Sequence, residues 1–178
     1  RIYNEGELDG TATEITDYLP QGLKLVPLKE STINTKYGWA EGANGEVTTK
    51  YLANTTIKAF DASKETAEEG WQKAEKGKGG LYYADVEVEC IVTALATQNE
   101  QSLRNIAEIT ADTGDDRDST PGNVDINNYT PEKDNSTYQE DDDDYERLVL
   151  PGKAFDLALR KFITKIERNG KEIEFADR

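Results

Sequence analysis

Fourteen Asp or Glu residues fall between Glu108 and Glu146 against only Arg117 and Lys133, so this stretch carries −12 of the chain's formal −15. Oxygen ligands at short, irregular spacing, mixed with Asn, Ser, Thr, Gly and Pro that make Asx-turns and tight loops, are what calcium uses. The candidate ligands are Asp112, Asp115, Asp116, Asp118, Asn123 and Asp125, then Asp141, Asp142, Asp143, Asp144 and Glu146. A solvated acidic loop holding no ion is the plain alternative, its carboxylates repelling one another into an extended chain. The stretch is internal, with strand-like IAEIT before it and YERLVL after it, which is unlike a simple acidic tail.

Other chemistries are limited by what the chain lacks. With no His and one Cys, Ser-His-Asp and Cys-His nucleophiles, an internal disulfide framework and most zinc, copper or haem sites are excluded. Cys90, in VEVECIV, reads as a small buried hydrophobe. No Gly-rich phosphate loop, HExxH, GxSxG or CxxC occurs. Two carboxylates could cleave a glycan, but among 36 acidic residues the sequence singles out no pair, and no enzyme acting on external substrates is expected. One chemistry needs no His. A buried Lys amine beside an Asn side-chain amide condenses with loss of ammonia when a nearby carboxylic acid carries the proton.

The elements that would position such groups are mostly strands. At 178 residues and 35% hydrophobic, the chain fits one domain with part of a second. Its acidity argues against nucleic acid or an anionic membrane as partner. No signal peptide or transmembrane run is seen, and the opening RIYNEG reads as the end of a strand, so a portion of something longer is expected. TATEITDYLP, LKLVPL, TTIKAF, LYYADVEVECIVTALA, QSLRNIAEIT and YERLVL read as short strands, and Asn44-Gly45 as a hairpin turn. Residues 62–76, rich in Ala, Glu and Lys, read as a short surface helix anchored by Trp71. An all-β, immunoglobulin-like β-sandwich with an inserted short helix follows, over residues 1–150 and lacking its first strands.

Residues 151–178 form an extension whose periodicity fits a helix or a strand; Asn169-Gly170 followed by KEIEFA favours a strand and hairpin. On a strand, Lys161 shares the face of Leu157 and Leu159, and a core-facing Lys is expensive unless its charge is paired or removed.

The run RIYNEGELDGTATEITDYLPQGLKLVP, with Thr16-Asp17-Tyr18-Leu19-Pro20-Gln21-Gly22-Leu23 as a "tDxLPxGL" turn and Asn105-Ile106-Ala107-Glu108-Ile109 as an "NxAxI" strand, resembles the isopeptide-forming fimbrial class of bacterial surface repeat domains. DSTPGN with EDDDDYE is similar to the acid-rich end of such repeats in clostridia-like Gram-positive bacteria, and PGKAFDLALRKFITKI to the start of the next. The resemblance implies a Lys-Asn cross-link with Asp17 as catalyst, Asn105 as amide partner and Lys161 as amine. In that class the lysine strand comes before the turn aspartate. Here Lys161 lies near the C-terminus, so it serves either the next module of a longer polypeptide or a neighbouring copy that receives the tail as a donated strand.

The function expected from all this is a structural module of an extracellular, cell-surface filament, pilus or stalk, joined head to tail to copies of itself and stiffened by calcium. The alternative is an adhesion module for a glycan or host protein, with Tyr37, Trp39 and Trp71 as the candidate aromatic patch.

Overall fold

The computed structural model describes residues 1–61, 63, 80–95, 97, 99–114, 119–129, 142–153, 156–161, 165 and 167–172. These form a mostly β protein: β1 (Ile2–Asn4), β2 (Ala12–Tyr18), β3 (Leu23–Leu25), a six-residue helix α1 (Thr32–Tyr37), β4 (Ala40–Glu41), β5 (Glu46–Thr49), β6 (Tyr82–Ala84), β7 (Cys90–Val92), β8 (Gln101–Asp112), β9 (Asp143–Leu150), β10 (Glu167–Arg168) and β11 (Lys171–Glu172). The main sheet is five-stranded, in the order β4-β5-β2-β8-β9, and β1-β6, β3-β7 and β10-β11 are separate antiparallel pairs.

Register fixes which side chains share a face, because directly opposed residues point the same way. Asp17 lies opposite Val47 and Ala107, and Ile15 opposite Thr49 and Ile109. This is the inner face. Ile15 and Val47 join Leu25, Tyr37, Trp39, Leu52, Ile57 and Ala84 in the core, with Ile2, Leu23, Tyr82, Val86, Val88 and Cys90 packed against it. The β1-β6 and β3-β7 pairs therefore share their core with the large sheet. The opposite parity gives the outer face, where the Thr16 and Thr110 hydroxyls meet at 3.0 Å and Tyr18 meets Glu108.

The Asn44-Gly45 expectation is met. Both residues have positive φ, 56° and 89°, in the turn between β4 and β5, the backbone that tight hairpins require and Asn-Gly supplies. The tail hairpin is met too, with Asn169-Gly170 at 51° and 74° between β10 and β11. No strand forms over residues 156–161. TTIKAF forms only an isolated bridge, Ile57 to Gly10.

LYYADVEVECIVTALA does not run as one strand. It pairs with β1 as β6 and with β3 as β7, and between them Glu87 and Glu89 turn their backbone groups to the Trp39 indole and the Asn34 amide. Its period-two pattern holds, since Tyr82, Ala84, Val86, Val88 and Cys90 all meet the core.

Of the helix expected over residues 62–76 only Ser63 is described, its N–H and hydroxyl donating to Asp61 Oδ1; the rest, Trp71 with it, lies outside the described residues. The helix that is described, α1, lies between LKLVPL and the Asn44-Gly45 turn, in residues rich in Lys, Ser, Thr and Asn. Its ends explain it: the Ser31 hydroxyl accepts from the Asn34 N–H, and Gly38 closes the last turn in the left-handed region. Asn34 is fully buried and ties the helix to the rest, donating to the Val26 and Glu89 carbonyls and accepting from the Glu89 N–H.

Candidate functional site

Asp17 stands on β2 and Asn105 on β8, diagonally related across the ladder because Asp17 opposes Ala107. Diagonal same-face neighbours are close enough for polar side chains to meet. The Asn105 amide Nδ2 donates to Asp17 Oδ2 at 3.1 Å. Asp17 is 5% exposed, and its other oxygen, Oδ1, has no hydrogen-bond partner; neither has Asn105 Oδ1. Burial pushes the Asp17 carboxyl up from the ordinary 3.8 to about 6, the Asn105 hydrogen bond opposing the shift. Each such unpartnered buried oxygen costs about 1–3 kcal/mol. Among the described residues no cation is paired with Asp17.

Cys90 completes the surroundings. Desolvation raises its thiol to about 11, and the nearby Asp17 and Glu89 charges push the same way. It is a partly buried core hydrophobe, as its sequence context suggests.

Two of the three residues expected to take part in a cross-link are thus brought together. The third is not. Lys161 is exposed, lies outside any strand and adds nothing to the Asp17 shift. What the site can do without it is hold an amide against a carboxyl that keeps its proton up to about pH 6. What it lacks is an amine.

The calcium candidates are spread out. Asp112, at the end of β8, accepts from the Gly114 N–H at 3.2 Å. Asp125 closes a turn on itself, accepting from the Asn127 and Asn128 N–H groups and the Asn128 amide. Asn123 is exposed in the same loop, and Asp142 is buried just before β9. Asp143 and Asp144 alternate on β9, so Asp143, opposite Glu108, faces outward, while Asp144 and Glu146, opposite Ala107 and Asn105, face inward. Among the described residues no three carboxylates converge on a point where an ion could sit. Asp115, Asp116, Asp118 and Asp141 lie outside the described residues.

One acidic residue matters in a way its sequence does not announce. Glu108 is 2% exposed, on the outer face. Its two oxygens accept from Tyr18 Oη at 2.8 Å and from the Val124 N–H at 3.1 Å, so it pins residues 119–129 over β8. The signal available was parity alone: Glu108 alternates with Ala107 and Ile109. Of the candidate aromatic patch, Trp71 lies outside the described residues. Tyr37 and Trp39 are core residues, the Trp39 indole donating to the Glu87 carbonyl at 2.7 Å.

Comparison of the chain with protein-family models, with curated proteins and with solved structures finds no match. Among the described residues no helix is long and apolar enough to cross a membrane.

Proposed function

We propose that this chain is a structural module of an extracellular, cell-surface filament or stalk, an immunoglobulin-like sandwich that is locked by a Lys-Asn isopeptide bond formed at Asp17 and Asn105. The observation that carries the reading is the Asn105-Asp17 hydrogen bond, buried and with an oxygen left unpartnered on each side. An ordinary structural pair at this depth would have its remaining lone pairs satisfied. An amine arriving here finds an acceptor on both residues.

The chemistry balances without any other reagent. Entering an apolar site, the Lys ammonium passes a proton to the Asp17 carboxylate and attacks Asn105 Cγ as the neutral amine. Asp17, as the carboxylic acid, hydrogen-bonds the amide oxygen as negative charge builds there and relays a proton from the incoming nitrogen to the outgoing one. The new C–N bond forms, the old one breaks, and ammonia leaves. The product carries shear load through covalent bonds, as a disulfide would, in a chain with one Cys.

Calcium enters this reading through the acidic stretch alone, as the ion that would stiffen the residues leading into β9. No step of the cross-link depends on it.

Intact mass in denaturant tests the reading. Each bond lowers the mass by about 17 Da, one ammonia, and both Asp17→Ala and Asn105→Ala should abolish the loss. Full mass, with no covalent multimer, would falsify it.

A further inference from the structure

Two inward-facing apolar residues beside the Asp17-Asn105 pair are half open to solvent. Among the described residues β7 pairs with β3 alone. Cys90 on β7 packs against the core, yet Val92, on the same face two residues later, is 45% exposed. β9 is the outer strand of the large sheet. Leu148 is on its inner face, opposite Leu103, and is 39% exposed.

Leu103 links the two sides. A Cβ at Gly22, beside β3-β7, would fall 3.3 Å from Leu103 Cδ1 and 2.9 Å from Ala94 Cβ. Inward-facing Val and Leu left open in this way mark room for one more strand. The buried pair lies next along the same face. Asn105 is two residues beyond Leu103, and Cys90, two residues before Val92, lies within reach of the Asp17 charge.

The chain carries a segment of matching chemistry. Residues 156–161, DLALRK, belong to no sheet, and Leu157 and Leu159 are 80% and 97% exposed. Extended, Leu157, Leu159 and Lys161 line one face. The step from Leu159 to Lys161 equals the step from Leu103 to Asn105, about 7 Å in either strand. The inner rim of β9 is acidic, with Asp144 and Glu146 exposed there, and suits a basic guest.

We infer that the opening between β7 and β9 is a strand-acceptor groove, and that its occupant is residues 157–161 of a second copy of this chain. The strand adds antiparallel to β7, because passing from Leu103 toward the Asp17-Asn105 pair means passing from Ala94, which meets Leu103 at Gly22, back to Cys90 near Asp17. Leu159 then sits between Val92 and Leu148, and the Lys161 amine reaches Asn105. The bond-forming role of Lys161 rests on the cross-linking reading; the groove does not. Donor and acceptor are different surfaces, so the contact is head to tail and propagates as an open chain.

The test uses the full chain. Asn105→Ala removes the acceptor amide and Lys161→Arg the condensing amine, so neither alone forms the bond. Mixed as isotopically distinct proteins, they should yield covalent pairs in denaturant, lighter than their sum by about 17 Da. Adding Leu159→Asp to the Asn105→Ala donor should cut that yield at least about tenfold, one leucine's burial being worth a decade or more in affinity. Leu159 is almost fully exposed in its own chain, so the change leaves that fold intact. Docking is also read without the bond: Asn105→Ala alone should form multimers with rising concentration in sedimentation, with Cys90 slower to alkylate, and Leu159→Asp should abolish both. An Asn105→Ala chain that stays monomeric overturns the inference. So does an ammonia loss confined to single chains, which leaves the cross-linking reading standing. Docking with no mass loss in any mixture supports the groove and ends the cross-linking reading.

Discussion

Asn105 hands its side-chain amide to the Asp17 carboxylate at 3.1 Å across neighbouring strands, and each residue keeps one buried oxygen with no partner. The pair is unusual because both residues are of a type that normally finds several hydrogen bonds when buried. Neighbouring polar pairs show the ordinary outcome. Asn34 uses both ends of its amide, and Glu108 both of its oxygens. The deficit at Asp17 and Asn105 leaves one buried acceptor on each residue.

That deficit has a pH signature. Burial raises Asp17 from 3.8 to about 6, so the folded chain holds this proton more tightly than the unfolded chain. The resulting stability is fully present below 3.8 and is lost as pH rises through about 6. At neutral pH the fold carries the cost of a buried carboxylate. Compared with Asp17→Asn, uncross-linked wild-type protein should gain about 2–3 kcal/mol on going from pH 7.5 to pH 4. Urea unfolding of both at the two values measures the difference, and identical pH dependence would remove the assignment.

Glu108 makes the opposite kind of prediction. Because its oxygens satisfy Tyr18 Oη and the Val124 N–H, Glu108→Ala strands two donors and opens a cavity, costing about 2–4 kcal/mol. Hydrogen exchange at the Val124 amide should speed up more than that at the Ile15 amide, since residues 119–129 lose their tie before the core does. Equal acceleration at both would mean that Glu108 supports the sheet alone.

Much of this arrangement was legible in the sequence, for identifiable reasons. Alternation placed β2, β8 and β9, and Asn-Gly pairs marked two turns because few other residues accept positive φ twice in succession. The motif resemblance singled out Asp17 and Asn105, which the register then brought within one hydrogen bond. What was hidden depends on the tertiary structure. α1 is held by Asn34 reaching Val26 and Glu89, contacts no local pattern encodes. The long apolar run splits because its two halves have different partners. Parity shows that Glu108 leaves the inner face, but not that a loop buries it there.

Gly45 is a case where the backbone allows a sharp expectation. Its φ is 89°, and an added Cβ would fall 2.5 Å from the Leu19 carbonyl oxygen, while its own carbonyl accepts from the Leu19 N–H at 3.0 Å. Gly45→Ala must strain the turn and push against Leu19, two residues from Asp17. A loss of about 2 kcal/mol or more is expected. Gly114→Ala, with nothing within 4 Å of the added carbon, is the control and should cost far less. Similar melting temperatures for the two variants would contradict the geometry.

The acidic stretch gives the last prediction. Fourteen carboxylates face two basic residues there, so any cation relieves repulsion, and a bare rise in melting temperature with salt would prove nothing. Calcium must be compared with magnesium at equal ionic strength. Calcium prefers six to eight flexible oxygen ligands, whereas magnesium keeps its waters, so a chelating loop separates them and a merely charged one does not. Calcium at a hundredfold excess over its Kd would stabilise the fold by about 2.7 kcal/mol, reversed by chelator. If the two cations shift the melting curve alike, the stretch is a solvated loop with no calcium site.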